Sequence, residues 1–143
     1  MDNTLSKLYR QLSIKHRIVV QTYLDELHLY IGQPRFLFEL SANPGISQGE
    51  VSSRLHLSKE TVSVTLKRLE NAGFVLRKQS LEDKRIKLLY LSEKGEKVVV
   101  ELRENFDRIN NTMFSKLSEE EKEMLESMLL SMMEGLEDKE LNT

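Results

Sequence analysis

The chain has 143 residues and a formal net charge of −2; 39% of residues are hydrophobic, 31% are charged, and there are 2 prolines, 6 glycines and no cysteine. That size and composition fit a single, mostly helical subunit with much solvated helix surface, and exclude collagen, linker arrays and turn-rich β-sandwiches. The lack of cysteine excludes a disulfide framework, a cysteine-based zinc site and thiol catalysis or redox sensing, and is the usage expected of a cytoplasmic protein. The longest apolar runs are three or four residues, such as Val98-Val99-Val100. These fall far short of the ~18 needed to span a bilayer, and Met1–Thr4 lacks the form of a signal peptide.

From Leu5 the apolar residues recur as Leu8, Leu12, Val19, Val20, Tyr23, Leu24 and Leu27, a helical period. We expect a first helix over residues 5–31, too long for one small core to cover. Gly32 and Pro34 punctuate it, and Pro34 is tolerated in the first turn of the next helix. Phe36, Leu37, Phe38 and Leu40 make that second helix apolar, and Asn43-Pro44-Gly45 forces a turn.

Two closely spaced helix starts follow. Ser47-Gln48-Gly49-Glu50 has the form of a capping box, in which Ser47 and Glu50 each satisfy a free N–H. Val51 and Leu55 face inward, and His56-Leu57 allows only a turn. Ser58 fits an N-cap, Val62, Leu66 and Leu69 mark a buried stripe, and Gly73 suits a left-handed helix end. These are the parts of a helix-turn-helix. Phe74–Leu76 and Ile86–Leu91 then read as two antiparallel strands with a long charged tip. Ser92 starts a long connecting helix over 92–114, with Val98, Val99, Leu102, Phe106 and Ile109 as its stripe. Ser118 and Glu121 form a second capping box, opening a last helix over 118–137 lined by Leu125, Leu129, Met132 and Leu136 and widened by Met124, Met128 and Met133. Residues 138–143 are expected to fray.

The functional signal lies in the second helix of the pair and in the hairpin. Residues 45–97 carry eleven lysines and arginines against seven acids, a net +4, while nine of the chain's acids cluster in 118–140. A basic middle between acidic flanks points to an anionic partner. Outside the apolar stripe, the helix from Ser58 to Ala72 presents Lys59, Thr61, Ser63, Val64, Thr65, Lys67 and Arg68. Hydroxyls can bond base edges, a valyl or methyl group can meet a thymine methyl, and the cations can hold phosphates. No acid interrupts Thr61–Lys67. The hairpin adds Lys78, Lys84, Arg85 and Lys87, and a guanidinium at such a tip can enter a narrow minor groove.

The stretch Leu57-Ser58-Lys59-Glu60-Thr61-Val62-Ser63, then Lys67-Arg68-Leu69-Glu70-Asn71-Ala72-Gly73-Phe74-Val75, resembles the recognition helix and strand entry of MarR-type winged-helix regulators. Asp83-Lys84-Arg85 and then Leu91-Ser92-Glu93-Lys94-Gly95 are similar to that family's wing signature. The motifs cover about residues 30–97, and the flanking helices match by length and placement, so the resemblance spans residues 1–143 as a single subunit. It implies a mainly α fold, with a winged helix-turn-helix lobe (33–97) flanked by N- and C-terminal dimerisation helices that interlock across a two-fold axis. On those helices the interface residues would be Leu5, Leu8, Leu12, Leu125, Leu129, Met132 and Leu136.

The resemblance further implies a homodimeric, sequence-specific transcriptional regulator of double-stranded DNA, a repressor in the family's commoner behaviour, with operator half-sites about one helical turn apart. Carried over by position, Lys59, Thr61, Ser63, Val64 and Thr65 would meet the major groove. Ser47, Lys67, Arg68, Lys78 and Lys87 would meet the backbone. In the wing, Asp83 would brace, while Lys84 and Arg85 would reach the minor groove. Many members have Arg where this chain has Val64, so a guanine contact from that position is missing.

Family members often release DNA when a small phenolic or anionic effector binds. Tyr23, Tyr30, Arg35 and Phe36 are the candidate pocket residues, with ordinary inter-helix core as the competing reading. His16, His28 and His56 have no i,i+4 partner among them, so neither a zinc site nor any other cofactor is expected. No glycine-rich phosphate loop and no His-Glu-x-x-His motif is present, which argues against an enzyme. The alternative function is a winged-helix protein-interaction module without DNA binding. Such a module would more often carry acids or large apolar residues on the outer face of 59–68, where this chain has hydroxyls and bases. Non-specific DNA packaging fits poorly with a central charge of only +4, because such binding rests on many phosphate contacts.

Overall fold

Over residues 3–137, which the computed structural model describes, the elements run α1 (Asn3–Glu26), α2 (Gln33–Ala42), β1 (Ile46–Ser47), α3 (Gln48–Leu55), α4 (Lys59–Asn71), β2 (Val75–Gln79), β3 (Lys87–Leu91), α5 (Glu93–Phe114) and α6 (Glu119–Leu136). The expected fraying of 138–143 lies outside the described residues. Helices dominate, with one small antiparallel sheet of order β1-β3-β2. This is the mainly α, winged fold that the motifs implied. Among the described residues no helix is long and apolar enough to cross a membrane.

The first helix is shorter than the expected 5–31. It ends at Glu26, where His28 adopts a left-handed φ of 57°. The His28 N–H donates to the Asp25 carbonyl and the Leu29 N–H to the Leu24 carbonyl, at 3.1 and 3.0 Å. These bonds satisfy carbonyls that a helix end leaves open, and the turn brings Leu29 into the core beside Leu24. Burial of Leu29 therefore overrides the helical period. His56 ends α3 in the same conformation, φ 54°, so two of the three histidines serve as helix ends.

A second difference is β1. The hairpin is part of a three-stranded sheet with β3 at its centre, because Ile46 and Ser47 pair with Leu89 and Leu88. Two residues are too few to show a strand period, and Ser47 also carries the stronger signature of a helix cap. The β2–β3 register runs from Val75 opposite Leu91 to Gln79 opposite Lys87, so β2 extends further than the expected Leu76.

By internal contacts the chain divides between Phe106 and Asp107. The first unit contains the continuous core, built from Leu24, Leu29, Phe36, Leu37, Leu40, Ile46, Val51, Val62, Leu66, Leu69, Phe74, Val75, Leu89, Val98, Val99 and Leu102. Phe106 of α5 packs edge-on against Tyr23 and Phe38, each with ring centroids 6.1 Å apart. The junction of α4, β2 and α5 is the tightest point. The Ser92 hydroxyl bonds the Gly73 carbonyl and accepts the Gly95 N–H, while the Ser92 N–H donates to the Phe74 carbonyl. A Cβ on Gly95 would lie 2.1 Å from that Phe74 oxygen. The serine and glycine of the Leu91–Gly95 signature thus have distinct jobs: one caps α5, the other lets it approach the backbone.

The second unit contains the end of α5 and α6. Ser118 and Glu121 complete the expected capping box: the Ser118 N–H donates to Glu121 and the Glu121 N–H to the Ser118 hydroxyl. These donors, the Ser118 backbone N–H foremost and then its side chain, hold the Glu121 carboxyl below its usual range. No residue of α6 is buried within the chain.

Candidate nucleic-acid interface

The helix pair is built by its caps. Ser47 accepts the Glu50 N–H at 3.2 Å and its hydroxyl donates to the Glu50 carboxylate at 3.1 Å. Ser58 accepts the Thr61 N–H at 3.1 Å and donates to the Thr61 hydroxyl oxygen at 2.9 Å, which leaves the Thr61 proton free to donate outward. Val62, Leu66 and Leu69 are buried and fix the rotation of α4. Lys59, Thr61, Ser63, Val64, Lys67 and Arg68 are consequently exposed, while Thr65 is half-buried at the edge of the stripe. An ion pair of Arg54 with Glu39 (3.3 Å) joins α3 to α2.

The wing tip is tied internally. The Ser80 N–H donates to the Ile86 carbonyl, the Ile86 N–H to the Asp83 carbonyl, and the Gln79 amide to the Lys84 carbonyl. Asp83 braces the tip by accepting three bonds from Arg85: backbone N–H at 3.0 Å, and Nε and one terminal nitrogen at 3.1 Å each. The guanidinium, and secondarily the Arg85 backbone N–H, holds the Asp83 carboxyl below the usual carboxylate range. Arg85 nevertheless remains 91% exposed at the tip, so its direction is set without being covered.

Between the start of α3, the start of α4 and the base of the wing lies an open groove of about 430 Å³ lined by Ser47, Gln48, Gly49, Lys59, Arg85, Ile86 and Lys87. It gathers Lys59 of α4 with Arg85 and Lys87 of the wing, which sequence spacing alone could not bring together. Arg77, absent from the sequence expectation, faces the same side. Its Nε donates to Glu70 of α4 at 2.9 Å and a terminal nitrogen donates to the Gln48 side-chain oxygen at 3.1 Å. Its signal was strand alternation, since Val75, Arg77 and Gln79 share one face of β2. By the same alternation Lys78 lies on the opposite face with Leu76, its ammonium 4.9 Å from the Tyr90 ring centre. The structure therefore separates Lys78 from the groove residues.

The four pocket candidates do not converge. Phe36 is a core side chain, 2% exposed. Arg35 donates to the Leu55 carbonyl at 2.9 Å and so serves the open end of α3. The Tyr23 hydroxyl meets Asn105 and the Glu101 carbonyl on α5. Tyr30 lines a groove of about 410 Å³ with His28, Leu29, Gln33, Arg68, Leu69 and Ala72. Among the described residues no cluster of His, Asp and Glu is placed to hold a metal ion. Leu5, Leu8 and Leu12 of α1 are exposed within the chain, as are Leu129, Met132 and Leu136 of α6, with Leu125 half-buried.

The MarR family model matches residues 29–87. The transcriptional regulator HosA of Escherichia coli O127:H6 is 31% identical over 126 residues, spanning 87% of this chain and 90% of HosA. The HTH-type transcriptional regulator YybA of Bacillus subtilis (strain 168) is 30% identical over 112 residues, or 78% of this chain and 75% of YybA. Among solved structures, a Staphylococcus aureus MepR–DNA complex superposes with a TM-score of 0.79 at 29% identity, covering 94% of this chain and 100% of the MepR chain. The winged helix pair, the Ser92–Gly95 junction and these likenesses over most of the chain agree, and the protein belongs to the MarR family of transcriptional regulators.

Proposed function

We propose that the protein is a homodimeric, sequence-specific double-stranded DNA-binding regulator that represses transcription from a pseudo-palindromic operator. The observation that carries this reading is the exposed, acid-free face of α4 from Thr61 to Arg68, continuous in chemistry with the Lys59–Arg85–Lys87 groove. Thr61, Ser63, Val64 and Thr65 are assigned to base edges, with Lys67, Arg68 and Lys87 on phosphates and Lys84 and Arg85 in the minor groove. MepR, solved on DNA, shares the fold.

The dimer rests on a second observation. Leu5 and Leu136 are each 71% exposed, and Leu8 and Leu12 of α1 and Met124, Met128, Leu129, Met132 and Met133 of α6 are also open to solvent. Apolar stripes of this length on two helices are a surface that a second copy would cover, and isologous pairing gives the two-fold axis a palindrome requires. An effector, if phenolic and anionic, finds its complement in the groove lined by Tyr30, His28 and Arg68, since Arg68 belongs to α4 itself.

Selection from a pool of random duplexes at physiological and at raised salt tests the reading. Enrichment of an inverted repeat is the expected result. Binding without enrichment, lost steeply with salt, would mean non-specific association. No binding at either salt would favour a protein-interaction module instead.

A further inference from the structure

Ser47 was the sequence candidate for a backbone contact at the start of α3, but its hydroxyl is already committed: it donates to Glu50 and accepts from the Glu50 N–H. The adjacent Gln48 is differently placed. It lines the groove beside Lys59, Arg85 and Lys87, and its Oε1 accepts from Arg77 at 3.1 Å. A guanidinium offers only donors, so the amide orientation is fixed by chemistry: oxygen toward Arg77, the NH2 group away from it. Among the described residues Nε2 has no hydrogen-bond partner. Arg77 is itself immobilised by Glu70 of α4 at 2.9 Å, so the amide is held by a relay through β2 to the recognition helix. An amide with two free donors, set among three cations, is complementary to an anionic oxygen.

Resting on the DNA-binding reading of this groove, we propose that Gln48 donates through Nε2 to a DNA phosphate, and that Arg77 is the positioning residue that fixes the amide for it. The contact is neutral on the protein side. It strengthens binding without displacing a counterion, unlike Lys59 or Lys87, and this difference is measurable.

The test uses the full chain and a fluorescent random-sequence duplex three helical turns long, titrated over a range of salt. Gln48→Met is expected to weaken binding about tenfold per protomer, the worth of a hydrogen bond to a charged group, with an unchanged salt slope. Lys59→Met is expected to lower the slope by about one ion per protomer. In an Arg77→Met background, adding Gln48→Met should cost less than about twofold, because the amide is no longer held. Thermal melts of each variant show whether it is folded. Wild-type affinity for Gln48→Met, with Lys59→Met still impaired, overturns the Gln48 contact and leaves DNA binding standing. An undiminished tenfold loss in the Arg77→Met background overturns the positioning role. Failure of the wild-type chain to bind at low salt overturns both this proposal and the DNA reading.

Discussion

Gly95→Ala is the sharpest perturbation available, because propensity and packing predict opposite signs. Alanine in a helix interior is favoured over glycine by about 1 kcal/mol. Against this, the new Cβ would lie 2.1 Å from the Phe74 oxygen and 3.1 Å from its carbonyl carbon. A carbon and an oxygen approach to about 3.3 Å even in a weak hydrogen bond, so the helix start or the carbonyl must move by roughly 1 Å. The carbonyl cannot move alone, since it accepts the Ser92 N–H at 2.9 Å and leads directly into β2. Overpacking that shifts backbone costs about 3 kcal/mol, and losing the Ser92 bond adds about 1 kcal/mol. The net expectation is a loss of about 3 kcal/mol, a large share of a typical domain's stability. Gly49→Ala is the control. It lies in α3 with nothing nearer than the Ser47 hydroxyl at 4.0 Å, so a gain of about 0.5 kcal/mol is expected. Urea unfolding at one fixed protein concentration measures both, because self-association would make the midpoint concentration-dependent. A Gly95→Ala chain as stable as the wild type would refute the argument that the Phe74 carbonyl makes glycine obligatory.

Other expectations follow from the same geometry. Arg85→Ala should weaken operator binding by about 1–3 kcal/mol, the worth of a good base contact, measured by fluorescence polarisation; unchanged affinity would remove the wing arginine from the interface. Arg85 lowers the Asp83 carboxyl below its usual range. The brace therefore contributes fully above the unfolded carboxylate pKa of about 3.9 and is lost as pH falls through the lowered folded value. An NMR titration of Asp83 should accordingly show a midpoint below that of an isolated aspartate and a shift upward in Arg85→Ala. Ser118→Ala should cost about 1 kcal/mol through loss of the α6 cap, read by urea unfolding. Deleting 118–143 should abolish dimerisation, and a truncated chain that still sediments as a dimer would refute the role assigned to α6.

Most of the candidate interface is legible in the amino-acid sequence. Ser47, Ser58 and Ser118 announced helix starts because capping is local: the partner N–H lies only three residues away. The rotation of α4 was legible because Val62, Leu66 and Leu69 repeat with the helical period, which leaves Ser63 and Lys67 outward by default. What failed was anything set by a partner distant in sequence. Proximity along the chain groups Arg35 with the tyrosines, yet it bonds Leu55, twenty residues away. The role of Arg77 is not legible along the chain, because its partners, Glu70 and Gln48, become neighbours only once β2 lies against the helix pair.

The sequence by itself determined which segments are helical, where most of them start, and which faces are apolar, since those depend on spacing within a few residues. It also carried the family signature. Tertiary structure alone decided where α1 stops, because the left-handed turn at His28 is adopted to bury Leu29 rather than through any glycine signal. It alone turned a hairpin into a three-stranded sheet by pairing Ile46 with Leu89, and set Lys78 and Arg77 on opposite faces of one strand. The reason is the same each time. Capping and periodicity are short-range and written in the order of residues, whereas burial and strand pairing are settled between segments whose meeting the order of residues does not state.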